Sequence, residues 1–460
     1  MRPPRRRLAS ILSAVLVGLS LLPAGAAVDD AGAQAIAHDG YVFGYPLVLM
    51  EATRLMTTAG RAPGQFVHMA SAPTPPFRIV VAPNGDTRYS SAWLDVSGEP
   101  MVVHVPDAGG RYFVTEMLDA WTDVIADPTA RVAGSAPKDY AIAGPAWKGT
   151  VPPGVTVVRS STDDVWVLAR TRARPADDAA AITAIQQQYH VVPLSRYGDA
   201  SYQPPAGAMV DPDINTGAPP PARVAALSAA AFFSLLAGAM VRNPPRPADA
   251  PIVARLASIG VVAGHPFDPN ALGPGGAASI ELGARDAAAE VAAYDPPGVP
   301  HVNGWRWTKD TGRFGTAYMY RAFIANTLLA ANLPEDAVYP ETSVDANGEP
   351  LNGGRRYTLH FAPGELPPVN GFWSLTLYGA DHFLVPNSIN RYTLRDTGVA
   401  RNADGSVDVR IQAAAPAGDT TNWLPSPATG PFVVTLRMYW AKPAGIDGSY
   451  HVPPIVPVPG

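Results

Sequence analysis

The chain has 460 residues, sets 34 Lys and Arg against 39 Asp and Glu, and contains no Cys. The missing thiols exclude disulfides, thiolate nucleophiles, zinc–sulfur sites and iron–sulfur clusters, and the mildly acidic balance argues against nucleic acid as a partner. At this length two or three domains are expected, each stabilised by its core without cross-links.

The first 26 residues read as a removed secretory leader. Arg2, Arg5, Arg6 and Arg7 precede an apolar run from Leu8 to Leu22, and Ala24-Gly25-Ala26 supplies a small-x-small cleavage pattern. The apolar run is short for a membrane span. Removing 26 of the 460 residues leaves 434, and losing four arginines takes the formal charge from −5 to about −9. No later stretch of 18 residues is uninterruptedly apolar, so no stable membrane span is expected after cleavage. The expectation is an exported protein, periplasmic or extracellular. Whether Arg6-Arg7 marks twin-arginine export stays open.

Residues 30–58 read as a helix, with Ala35, Ile36, Val42, Phe43, Leu47, Leu49, Met50, Leu55 and Met56 as its apolar material. Pro46 is expected to kink or split it, because proline lacks an N–H and clashes with the preceding turn. After a proline-rich loop the chain turns β-like from about residue 79 to Thr171. The runs MVVHV, RYFVTEMLD, DYAIAG, VTVVR and VWVLAR are short and bounded by Gly, Pro, Asp or Asn. The 50 Pro and 42 Gly are spread between such runs, which favours turns over disorder and a sandwich over a parallel sheet. Helical texture returns at ADDAAAITAIQQQYHVVPL, ending near Pro193. Beyond a Pro/Gly-rich linker at 201–221 it continues through 222–241, VARLASIGVV, 277–293 and 316–333, where Pro334 stops it. The last third is β again, with YTLHF, FWSLTLY, VDVRIQ and FVVTLRMYW alternating at period two. In the last of these, Val434, Leu436, Met438 and Trp440 face one way and Val433, Thr435, Arg437 and Tyr439 the other.

Several stretches carry a resemblance. YVFGYPLVLMEATR, PNGDTRYSSAWLDV and PDAGGRYFVTEMLDAWTDV resemble the N-terminal domain of an exported bacterial family, the domain of unknown function 1254. ANLPEDAVYPETSVDANGEPLNGGRRYTLHF, GFWSLTLYGADHFLVPNSINRYTL, NWLPSP and FVVTLRMYWAKP resemble its usual partner, the domain of unknown function 1214. The resemblance covers most of 35–195 and 300–455, and Gly85 fits the small residue the family carries between Asn and Asp. It implies a mainly β fold of two β-sandwich domains, the C-terminal one jelly-roll-like, with a helical region between them. The expected division is a helix plus sandwich over 27–195, a linker and helical region over 196–333, and the jelly-roll-like domain over 334–460. No reaction follows from it.

In PNGDTRYSSAWLDV, Asn84-Gly85 is turn chemistry, since Asn and Asp side chains bond backbone nearby and Gly is permissive. The strand that follows puts Thr87, Tyr89, Ser91, Trp93 and Asp95 on one face. Hydroxyls, aromatics and a carboxylate suit a sugar or polar small molecule, or else a buried, satisfied network. In RYFVTEMLDAWTDVIAD, Tyr112 and Trp121 accompany Glu116, Asp119, Asp123 and Asp127. Paired carboxylates serve glycoside hydrolysis, but an Asp-capped turn explains the same text. In the last third, Trp373 and Tyr378 on a strand and Asn387, Asn390, Arg391, Asn422 and Trp423 in loops form a ligand-lining set or, equally, loop pins.

No His pair has metal-ligand spacing; His360 and His382 are the candidates for a site assembled from distant strands, and no metal or cofactor is assigned. DPDINTG lacks the glycine and glutamate of a calcium loop. Gly-x-Ser-x-Gly, Walker and dinucleotide motifs are absent from the sequence. Two functions remain. One is an enzyme or binder acting on a glycan or another polar small molecule, with Asp86 or Asp119 as general acid/base and Tyr89, Trp121 and Trp423 positioning it. The other is a non-catalytic envelope or assembly protein, compatible with a homo-oligomer. Nothing in the sequence decides whether the chain is an enzyme.

Overall fold

The structure is a computed structural model that describes residues 28–459 apart from 79, 135, 175–177 and 214–216. The expected leader over residues 1–26 therefore lies outside the described residues, as does part of DPDINTG. Helix makes up 29% and strand 26%, so the chain is a mixed helix-and-sheet protein and not the mainly β one expected. The helical region runs longer than its sequence share suggested because the first helix belongs with it.

That first helix, Asp30–Thr58, begins at an Asp29 cap whose carboxylate accepts from Gly32 N. It is not split at Pro46, which is buried with its neighbours. Packing on several sides of this segment outweighs the single lost backbone bond. Its buried residues join one core with Ala229–Arg242, Ala250–Ser258, Gly273–Ala293 and Tyr318–Leu328. Gly283 allows the closest approach: a Cβ there would lie 2.2 Å from the Gln34 carbonyl oxygen. The helix expected to run to Pro193 stops at Gln186, and His190–Pro193 pairs antiparallel with Met101–Val105. Three successive glutamines leave no apolar face to extend it, and Val191 enters the neighbouring β core instead.

The N-terminal β region has two sheets. The six-stranded one runs Ala208–Val210, Val67–Met69, Thr87–Asp95, Asp164–Arg172, Phe113–Asp119, Val124–Ala126. The four-stranded one runs Val155–Arg159, Lys138–Ala143, Met101–Val105, His190–Pro193. Both contain one parallel pairing among antiparallel ones. Leu94, Val165, Val167 and Phe113 from the first sheet and Val103, Tyr140 and Ile142 from the second fill a single core.

The C-terminal β region repeats the plan. Phe432–Ala441 pairs with Val369–Gly379 at the centre of a seven-stranded sheet, and Val407–Gln412 pairs with Tyr357–Phe361 in a four-stranded one. Leu375, Val434 and Leu436 meet Leu359, Val409 and Ile411 in their shared core. The period-two alternation predicted Val434, Leu436 and Met438 on this face; Trp440, expected with them, instead has a φ of 51° and packs beside Tyr112 and Tyr439. The other half, Thr435, Arg437 and Tyr439, is buried as well, because it turns toward the N-terminal region. Each large sheet thus has one face in its own core and one face toward the junction of the two β regions and the helices.

Candidate functional site

The junction encloses a cavity of about 1130 Å³. Its floor is the outer face of the six-stranded sheet. Antiparallel register sets Tyr89 opposite Arg170, Ser91 opposite Leu168, Trp93 opposite Trp166 and Asp95 opposite Asp164. All eight residues line the cavity. Six residue steps lead from Tyr89 to Asp95, so the strip is about 20 Å long at about 3.3 Å per step. Its walls come from the end of the first helix, including Met56 and Thr57, from Phe323, Leu328 and Leu329, and from Glu341, His382, Thr435 and Arg437 of the C-terminal region. The middle of the lining is apolar and aromatic; charge collects at the ends.

The strip is held rigidly. Trp93 and Trp166 stack with ring centroids 5.1 Å apart and planes 3° from parallel. Trp93 Nε1 donates to Thr57 Oγ1 at 3.0 Å and Trp166 Nε1 to Ser91 Oγ at 2.8 Å. At one end Arg242 Nη2 lies 2.9 Å from both Asp95 Oδ1 and Asp164 Oδ1. At the other, the Arg170 guanidinium sits over the Tyr89 ring, pairs with the fully buried Glu116 and donates to the Ala330 carbonyl.

Asp86 and Asp119, the two expected acid/base residues, are not brought together and neither lines the cavity. Asp86 is 1% exposed and joins the two β regions. Ser374 Oγ donates to Oδ2 at 2.5 Å, Tyr439 OH to the same atom at 3.1 Å, and Arg395 Nε lies 2.9 Å from Oδ1. Asn84 does line the cavity; its Oδ1 accepts from Asp86 N at 2.8 Å, as turn chemistry predicts, and its Nδ2 donates to Tyr439 OH at 2.8 Å. Asp119 closes a hairpin by accepting from Trp121 N and Asp123 N, with Ser161 Oγ on its other oxygen. Burial first, then Asp123, pushes its carboxyl up to about 6.

Of the expected ligand face, Tyr89 and Trp93 line the cavity, while Thr87 is buried beside it. Tyr112 is buried between the β regions with its OH on the Asp336 carbonyl at 3.0 Å, and Trp121 lies in the helical core. Trp373 packs in the C-terminal core, and Tyr378 OH donates to the Pro83 carbonyl at 2.8 Å. The C-terminal loop set pins loops. Asn387 brackets its own turn to Arg391, Asn390 accepts from Tyr392 OH, and Arg391 donates to the Thr420 and Trp423 carbonyls. Asn422 exchanges two bonds with Ala400, and Trp423 Nε1 donates to Gln412 O. None of these loop residues lines the cavity.

Sequence reading missed Trp166, Leu168 and Arg170, although their own alternation in VWVLAR was visible. It also missed Glu341 and Thr435 as lining. Among the described residues no group of three or more His, Asp or Glu could hold a metal, and His360 instead pairs with Asp408 on the surface. No described helix is long and apolar enough to cross a membrane.

Residues 63–193 match the family model described as a protein of unknown function (DUF1254), and residues 336–443 match another, a protein of unknown function (DUF1214). The Asn84–Asp86 link thus joins the two matched regions. No curated protein matches the chain. The crystal structure of the VPA0106 protein from Vibrio parahaemolyticus aligns with 93% of this chain and 100% of its own, at TM-score 0.67 and 24% identity, a likeness of fold. A putative uncharacterized protein from Burkholderia cenocepacia aligns over 91% of this chain and 88% of its own, at TM-score 0.43 and 14% identity.

Proposed function

We propose that this chain, which belongs to the proteins that join a DUF1254 domain to a DUF1214 domain, binds a small molecule with an extended apolar body in the cavity between them. The observation that carries this reading is the four-rung strip from Tyr89–Arg170 to Asp95–Asp164 on the cavity floor. A cavity of about 1130 Å³ is slightly larger than the usual range of about 300–1,000 Å³ for small-molecule sites, and such sites are mostly apolar with a few polar groups that fix orientation. An apolar body fits this strip better than a glycan, because Trp93 and Trp166 give one face each to their mutual stack and have their N–H groups already bonded, so they offer ring surface without a free polar handle. No chemical step is assigned to Asp86 and Asp119. The proposal includes export through the leader over residues 1–26, and a sandwich-like description of each sheet pair, since each pair shares one core.

The test is intrinsic fluorescence, with Trp93, Trp166 and Trp307 as reporters on the lining, titrated with medium-chain amphiphiles and, separately, with oligosaccharides. Amphiphiles are expected to change the emission and to raise the melting temperature. Trp166→Ala should weaken their binding roughly tenfold or more, the range for a large buried aromatic contact. Oligosaccharide binding with no response to any amphiphile would reverse the reading.

A further inference from the structure

We infer that the corner of the cavity formed by Glu341, His382 and Thr435 receives the polar end of the ligand, and that this end is an uncharged hydroxyl group; the inference rests on the ligand-binding reading above. The three residues come from different elements and all line the cavity. Thr435 Oγ1 donates to Glu341 Oε2 at 3.3 Å, and His382 Nδ1 stands 3.6 Å from the same oxygen. Among the described residues no donor is assigned to Glu341 Oε1. A carboxylate has room for about four hydrogen bonds, and Glu341 lines the cavity with its side chain 22% exposed, so Oε1 is open to a donor that enters there. The corner therefore asks for a donor.

The charge of the ligand end follows from the neighbours. Glu341 itself opposes an anion. The cations nearby are engaged: Arg437 donates to Thr376 Oγ1, to Tyr378 OH and to the Ala82 carbonyl, and Arg170 is paired with Glu116. Arg437, whose bonds go to neutral oxygens, also opposes a second cation. Thr435 gives its hydroxyl proton to Glu341 Oε2, and among the described residues no hydrogen bond links it to His382. The corner is built to recognise and not to activate a nucleophile.

Backbone conformation marks the same place independently. His382, Ala82 and Ala330 all line the cavity with φ of 57°, 50° and 59°. Residues with a Cβ avoid this left-handed region, and when the surroundings hold them there the positions cluster at ligand sites. Here the surroundings do hold them. Ala82 N donates to the His382 carbonyl at 2.9 Å, Arg437 donates to the Ala82 carbonyl at 3.0 Å, and Arg170 donates to that of Ala330.

The experiment is calorimetric titration of the purified full chain with 1-decanol, decanoate and decylamine, which share a body and differ at the end. Decanol is expected to bind tightest, by roughly tenfold or more, as one hydrogen bond to a charged acceptor implies. Glu341→Gln should cut that preference to within a factor of about three. His382→Asn, which tolerates the same backbone conformation, is the second variant should the first fail to fold. Equal affinity for the three compounds, tightest binding of decanoate or decylamine, or a preference that both variants leave intact would overturn the corner assignment alone. Absence of binding by all three would remove the cavity reading and this inference with it.

Discussion

Ala330 ends the helix Tyr318–Leu328 in a conformation that costs an L-residue about 1–2 kcal/mol, and its carbonyl is anchored by Arg170. Ala330→Gly relieves that cost but adds freedom to the unfolded chain, so a net gain of about 0.5–1 kcal/mol is expected in urea unfolding. A loss instead would mean the methyl group is needed by the cavity wall. Asp86 behaves oppositely. Its carboxylate is buried with Ser374, Tyr439 and Arg395 around it, so Asp86→Ala strands three polar groups and should cost about 3–5 kcal/mol. Unfolding midpoints no lower than wild type would show that the link is dispensable. The sequence displayed the Tyr89–Trp93 face because alternation is a local property. It could not display Arg170 or Glu341 as neighbours of that face, since register between distant strands is set by packing and not by local pattern. It also offered Asp119 as an acid, although two backbone N–H groups claim the same oxygen in a hairpin turn.

The helical bundle makes a sharper comparison, because glycine has opposite meanings on two of its helices. Gly238 in Ala229–Arg242 is exposed and a Cβ there meets nothing within 4 Å. Gly238→Ala should therefore stabilise by about 0.5–1 kcal/mol through helix propensity. Gly283 in Gly273–Ala293 has the same propensity to gain, but its Cβ would sit 2.2 Å from the Gln34 carbonyl oxygen and 3.1 Å from His38 N. Backbone cannot swing aside as a side chain can, so Gly283→Ala should lower the stability by about 1–3 kcal/mol, the usual cost of overpacking. Melting temperatures of the two variants check the pair, and a shared sign would contradict it. The strands of the C-terminal region were legible almost to their ends from period two. The packing of the bundle was not: helices were visible at 30–58, 222–241, VARLASIGVV, 277–293 and 316–333, but their docking depends on small residues whose role shows only once two backbones meet. The same holds for Pro46, whose penalty is local and whose compensation is not.

Asp127 lies where three parts of the fold meet. It follows the last strand of the six-stranded sheet, and Arg131 bridges it at 3.1 Å to Asp336 of the DUF1214 region at 3.0 Å. Burial first, then the Asp336 carboxyl, pushes Asp127 up to about 7, and Asp119, at the contact with the helices, is raised to about 6. Both values exceed the roughly 3.9 of an unfolded aspartate, so between the two limits the folded protein binds more protons than the unfolded chain. Stability must then fall as pH rises through that window and level off above it. Asp408 works the other way: its hydrogen bond from His360 holds its carboxyl below the usual range, and that contribution vanishes only in stronger acid. The melting temperature is therefore expected to rise by several degrees between pH 8 and about pH 5 and to drop again below about pH 4. Asp127→Asn keeps the shape and removes one titration, so it should reduce the rise, with Asp119 and the buried Glu116, raised to about 7, supplying the remainder, while leaving the acid limb in place. A wild-type profile that is level or climbs from pH 5 to 8 would mean that Arg131 keeps Asp127 ionised at neutral pH. In that case the contact between the two domains would be a plain ion-pair bridge, with no proton shared across it.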